Sequence, residues 1–258
     1  MRDGMANVLQ DFYEDKYREG RERPRSSKRF TLDCIPARGH LGILDIGCAT
    51  GENSQAMADK GHTVYGIDIS ENAIAKYRAR GFEGRVMDVE HPLEFADASF
   101  DLIFCSEVIE HLAAPERLMS EAFRVLVPGG TLVLSTPNSA FWVYRVLAAM
   151  GWTPSELQHP KHLQFFSRRS LRRVLTAAGF DIAEEFGRNM YMLVPAIGGP
   201  LGKLPGHLGF QREERFRTKS FFWHLSHRCG FWNTLWADTL ICVARKPASA
   251  WFDSPATA

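Results

Sequence analysis

The stretch Leu41 to Ser54, LGILDIGCATGENS, constrains this chain more than any other. Leu41 to Ile46 has the length and apolar character of a short buried strand, and it carries Asp45 just before a glycine-punctuated loop. Gly47 and Gly51 let the backbone turn sharply and approach a ligand closely, and a helix begins near Glu52. That helix turns its free N–H groups and the positive end of its dipole toward whatever sits over the loop. A pyrophosphate loop would read G-x-G-x-x-G, yet Ala49 and Glu52 stand where the second and third glycines would fall. A dinucleotide is therefore disfavoured as the ligand.

The segments that follow repeat the alternation of strand and helix. His62 to Ile69 (HTVYGIDI) reads as a second strand carrying Asp68 at its end, and Ser70 caps the helix ENAIAKYRARG. The distance of Asp68 from the loop suits a carboxylate that accepts hydrogen bonds from both hydroxyls of a ribose. Gly84 to Val89 is a third strand with Asp88 near its end, and Asp101 to Cys105 forms a central one. Pro115 to Leu126 is an amphipathic helix, and LVPGGTLVLSTPN is a Pro-Gly-Gly turn feeding a fifth strand over Thr131 to Ser135. Five strands alternating with helices predict an α/β, doubly wound parallel sheet. Beyond Asn138 the reading gives a capped basic helix over Ser170 to Ala178, a sixth strand around Phe180 to Phe186 and a last one over Thr239 to Ala244.

Composition limits the function. With 258 residues, 45% of them hydrophobic, the chain can bury the core of one large decorated domain. Lys and Arg number 31 against 30 Asp and Glu, which provides no broad positive field for nucleic acid and favours a small-molecule substrate. The five cysteines, Cys34, Cys48, Cys105, Cys229 and Cys242, are scattered and never spaced C-x-x-C, which argues against a disulfide framework or a zinc knuckle. The amino terminus lacks the apolar core of a signal peptide, and the run Ala140 to Gly151 is broken by Arg145 and too short to span a bilayer. A cytoplasmic protein without a transmembrane segment is expected.

Asp45, Gly47 and Gly51 match (D/E)-x-G-x-G-x-G, with Ala49 replacing the middle glycine, and FDLIFCSEVIEHL follows at the fourth strand. On these motifs the chain resembles the class I S-adenosylmethionine-dependent methyltransferases, close to the UbiG-like branch of ubiquinone-biosynthesis O-methyltransferases, over about residues 42–180. The resemblance implies a Rossmann-like seven-stranded sheet with helices on both faces, an antiparallel last strand and a C-terminal insertion. It implies S-adenosylmethionine as cofactor, with Asp68 on the ribose and Asp88 on the adenine amino group. The rest of the implied cofactor set is Arg29, Asp45, Gly47, Cys48, Ala49, Gly51, Asn53, Ile69, Val89, Ser106 and Glu107.

The same resemblance points to His162 as a base near the methyl group, with His159 and His111 as further candidates. It favours methyl transfer to a hydroxyl oxygen of a sugar, a phenol or a natural-product intermediate. An N- or C-methyltransferase is the alternative, and a nicotinamide-dependent oxidoreductase is the rival from another class. Glu107, Glu110 and His111, with His162 or His159, make a candidate set for a divalent cation, as some O-methyltransferases with a similar E-x-x-E-H segment bind one there, although E-V-I-E-H is common in relatives that need none. Residues 1–40, with Val8, Leu9, Phe12, Tyr13 and Tyr17 on one helical face, read as a loosely attached leading helix, and the resemblance implies that this segment serves as a lid over the cofactor. The apolar insertion at 190–235 is expected to cap the site, form a homodimer contact or meet a membrane surface, and residues 247–258 read as a disordered tail.

Overall fold

The computed structural model describes residues 2–18, 29–189 and 237–248. Its frame is one seven-stranded sheet in the order β3-β2-β1-β4-β5-β7-β6. The strands are β1 (Gly42–Ile46), β2 (Thr63–Asp68), β3 (Glu83–Val86), β4 (Phe100–Ser106), β5 (Leu126–Pro137), β6 (Asp181–Asn189) and β7 (Ala237–Arg245). The first five pair in parallel, and β7 runs antiparallel to β5 on one side and β6 on the other. The described helices are α1 (Arg2–Arg18), α2 (Arg29–Leu32), α3 (Glu52–Ala58), α4 (Glu71–Ala79), α5 (Pro115–Val125), α6 (Trp142–Ala149), α7 (Pro154–Leu157) and α8 (Arg168–Ala177).

The central strands are apolar on both faces because both faces are covered, as a parallel sheet requires. Along β4, Ile103 and Cys105 join a core with Leu118, Met119 and Ala122 of α5 and Leu171 and Leu175 of α8. Leu102 and Phe104 point the other way and pack with Ile43, Met57 of α3 and Ile35. The order of connection reverses between β1 and β4, so the loops after these strands part and leave a crevice at their carboxyl ends.

Three local expectations are revised. β5 begins at Leu126, opposite Phe100, bulges through Val127 to Gly130 and resumes with Thr131 opposite Leu102. The Pro-Gly-Gly segment is thus an irregularity inside the strand, eased by Gly129 at φ +78°, and not a turn before it. β3 ends at Val86, so Asp88 lies in the loop beyond it. The cap of α8 is Ser167, whose hydroxyl accepts from the Ser170 amide while Ser170 returns the bond, making Ser170 the third residue of a capping box. The segment expected to insert at 190–235 and the tail from 249 lie outside the described residues.

The glycine in β2 is a packing necessity. A Cβ on Gly66 would stand 2.4 Å from Cζ of Tyr77 and 2.7 Å from Sγ of Cys48, and both neighbours are buried. Neither can withdraw, so Gly66→Ala should lower stability by about 1–3 kcal/mol through overpacking. Urea denaturation of the two proteins measures it.

Candidate active site

The crevice holds a cavity of about 410 Å³. Its floor is built by the loops after β1, β2, β3 and β4, and its rim by α1 and the segment around Pro160 to Leu163. The loop after β1 is held from below. Asp45, 1% exposed, accepts a 2.6 Å hydrogen bond from the Ser54 hydroxyl of α3, which itself accepts one from the Tyr77 hydroxyl of α4. Asp68 holds the same loop from the side, its Oδ2 accepting from the Ala49 amide at 2.9 Å and its Oδ1 from the Ser70 amide at 3.0 Å. Ala49 takes φ +51°, a left-handed conformation that a glycine adopts at no steric cost. The bond from Asp68 offsets that strain, which explains how alanine stands at a glycine position.

Of the residues expected to hold the cofactor, Gly47, Asp68, Ile69, Asp88, Val89, Ser106 and Glu107 line the cavity. Gly47 sits at φ +71°, where a Cβ would meet Val108 at 2.5 Å. Glu107, itself at φ +61°, accepts from the Ser135 hydroxyl at 3.0 Å, and Ser106 is paired with the same hydroxyl at 2.8 Å. Asp45, Cys48, Ala49, Gly51 and Asn53 do not line it. Asp45 is buried under the loop, Cys48 packs with Ile74 and Tyr77, and Gly51 caps α3 at φ +89°. They shape the loop from within. The side chain of Arg29 lies outside the described residues.

The histidines separate in the same way. His111 lines the cavity, whereas His162 and His159 are not among the residues that line it. The rings of His111 and His162 are 4.9 Å apart, and His162 Nδ1 meets Gln158 Oε1 at 3.1 Å. Burial, aided by His111 and His159, lowers the pKa of His162 to about 4, so it is neutral and weakly basic near neutral pH. Burial also lowers that of His159, with help from Lys16 and Lys161. Of the two, His162 is the one expected as the base. It lies off the cavity wall, and its environment disfavours the charged form.

His111 is better placed. Its Nδ1 is 3.1 Å from the Lys161 carbonyl, which can only accept, so the ring proton is assigned to Nδ1 and the lone pair to Nε2. Nε2 meets the Tyr13 hydroxyl at 3.2 Å and lies 4.0 Å from Glu110 Oε1. Glu110 is 1% exposed, and its other oxygen accepts from Thr136 at 3.1 Å.

Glu110, His111 and His162 bring ligand atoms within 4.8 Å of one another. Glu107 is turned toward Ser135 and is not in this group. Both ring nitrogens of His111 already have partners, and a cation taken up there would displace Tyr13.

Residues 17–185 match the family described as Methyltransferase domain. The chain belongs to that family. An S-adenosylmethionine-dependent methyltransferase from Mesorhizobium loti shares the fold of this methyltransferase domain at a TM-score of 0.58 and 19% identity, over 85% of this chain and 98% of that one. The ubiquinone biosynthesis O-methyltransferase of Idiomarina loihiensis is 32% identical over 150 residues, which are 54% of this chain and 61% of the relative. The enzyme of the same name from Aromatoleum aromaticum is 34% identical over 169 residues, covering 60% and 72%. The match thus spans less than two thirds of the first relative. These likenesses agree with the class I S-adenosylmethionine-dependent assignment and with its UbiG-like branch.

Sequence reasoning missed part of the wall: Tyr13, Tyr17, Glu90, Arg117, Lys161 and Leu163. The four-residue spacing of Tyr13 and Tyr17 on one helical face was the available signal for two of them. The helix that carries them is not loosely attached. Glu14 accepts from the Glu71 and Asn72 amides at the start of α4, and Lys76 donates to the Tyr17 carbonyl at 2.6 Å.

The depressed pKa of His162 gives a signed expectation. The unfolded state binds the proton more readily, so stability should fall as pH drops from 6.5 toward about 4. His162→Gln should flatten that part of the curve, as denaturant midpoints of both proteins across this window would reveal.

Proposed function

We propose that this chain transfers the methyl group of S-adenosylmethionine to a hydroxyl oxygen of a small molecule. The observation that carries the oxygen acceptor is His111, fixed by the Lys161 carbonyl so that a basic nitrogen faces the tyrosine on the cavity wall. A hydroxyl must lose its proton as it is methylated, and an amine acceptor would make less use of such a base. The names of the two relatives, ubiquinone biosynthesis O-methyltransferase, point the same way.

The bound cofactor would supply an activated methyl group on a sulfonium, leaving the protein to position, exclude water and take up a proton. Asp68 would accept from the ribose hydroxyls through the lone pairs its two amide partners leave. Ile69 and Val89 would flank the adenine, Asp88 would face its amino group, and Ser106 and Glu107 would lie beneath the methionyl end. Tyr13, Tyr17 and Leu163 on the rim would favour an acceptor with an apolar or aromatic body. α1 would serve as the lid over both ligands.

Calorimetry with S-adenosylhomocysteine should show binding that Asp68→Ala weakens by at least about 100-fold, the scale of losing two charge-assisted hydrogen bonds. No binding by the wild type would remove the cofactor assignment. Release of S-adenosylhomocysteine from S-adenosylmethionine, screened over catechols, simple phenols, sugars and amines, identifies the acceptor class. Turnover confined to the amines would overturn the hydroxyl reading. Exhaustive chelation should leave the rate unchanged. Loss of activity restored by magnesium, manganese or zinc would instead give Glu110, His111 and His162 to a metal.

A further inference from the structure

We infer that Tyr13, on the helix that precedes the sheet, is a catalytic residue: the acceptor's proton passes through its hydroxyl to His111. The inference rests on the proposed transfer to oxygen and on the order of the groups at the cavity. His111 Nδ1 is committed to the Lys161 carbonyl at 3.1 Å, so Nε2 is the nitrogen able to take a proton. Tyr13 stands on Nε2 at 3.2 Å, and both residues line the cavity. A hydroxyl entering this space meets the phenol on its way to the base. The phenol oxygen can accept one hydrogen bond while donating another, which is what a relay requires.

Tyr13 is placed for this with care. Its neighbours on both sides bind to the body of the domain, Glu14 through the amides that open α4 and Phe12 edge-on against the His159 ring at 5.6 Å. The phenol ring stacks on Tyr17, itself 3% exposed, at 6.2 Å, and meets the His111 ring edge-on at 6.0 Å. Residues 12, 14 and 17 thus fix the helix that brings residue 13 to the base.

The step balances. The acceptor oxygen uses a lone pair to form its bond to the methyl carbon, and the carbon–sulfur bond breaks with its electron pair left on sulfur, which becomes a neutral thioether. The acceptor's proton moves to the Tyr13 oxygen as the Tyr13 proton moves to His111 Nε2. The imidazolium so formed lies 4.0 Å from Glu110 Oε1 and later gives its proton to water. Tyr13 ends as it began.

The test compares Tyr13→Phe, His111→Gln and the double variant on the acceptor that the wild type methylates fastest in the screen above. Tyr13→Phe should lower kcat by about 100-fold, the lower end of the range for proton-transfer catalysis. KM for S-adenosylmethionine and the affinity for S-adenosylhomocysteine should stay within about twofold. Because the two residues act in series, the double variant should be no slower than the slower single one. An unchanged kcat in Tyr13→Phe, or losses that multiply in the double variant, would overturn the relay. A wild type that methylates no hydroxyl fails earlier and removes the reading beneath it. Should Tyr13→Phe lose its fold, the chain carrying 3,5-difluorotyrosine at residue 13 decides: its more acidic phenol changes kcat if the proton passes through it and leaves kcat unchanged if the ring only packs.

Discussion

The buried chain from Tyr77 through Ser54 to Asp45 is the interaction on which the rest of the site depends. It joins α4, α3 and β1 beneath the loop that opens the crevice, in a region where water cannot substitute for a missing partner. The same tyrosine ring lies over Gly66, so the strand next to β1 must lack a side chain there. With the loop held from below, Asp68 can hold it from the side through Ala49 and still present its carboxylate to the cavity. One packing arrangement therefore sets the glycine of β2, the left-handed alanine and the position of the acid that lines the cavity.

Much of this was legible in the sequence because it is local. Short apolar runs, glycines at fixed offsets and acids at strand ends report on backbone geometry within a few residues, so β1, β2, β4 and their loops fall where the pattern puts them. Ser70 accepts from the Ala73 amide as the cap reading requires. What packing decides is of another kind. Asp45 carries the expected acid, but whether a carboxylate faces a ligand or a serine nine residues later is decided by packing. Ser167 and Ser170 are both plausible caps by type, and the strand-like backbone of Ser167 settles which one is the cap.

The histidines show the limit most clearly. His111, His159 and His162 are equivalent as letters, and their surroundings are set by contacts between residues about 50 apart. The Lys161 carbonyl selects the tautomer of His111, while burial among the other two rings makes His162 a poor base. The partner that completes the arrangement, Tyr13, is 98 residues away from His111 on a helix outside the recognised motifs. No spacing rule links them.

That separation also bears on how such a domain changes its acceptor without losing its cofactor. The proposed cofactor side is built from loops at the ends of parallel strands, which are fixed by the sheet and by the buried Asp45 chain. The proposed acceptor side is built from α1 and the segment around Lys161, which are held by a few bonds: Glu14 on the α4 amides, Lys76 on the Tyr17 carbonyl, His111 on the Lys161 carbonyl, and the Leu163 and Gln164 amides on the Glu110 carbonyl. Changes there cost little of the core, because the elements they alter are bound at their edges and not interleaved with the central strands. The rim can therefore be reshaped around a new acceptor so long as the base keeps its tautomer, which only the Lys161 carbonyl, a backbone group, has to supply.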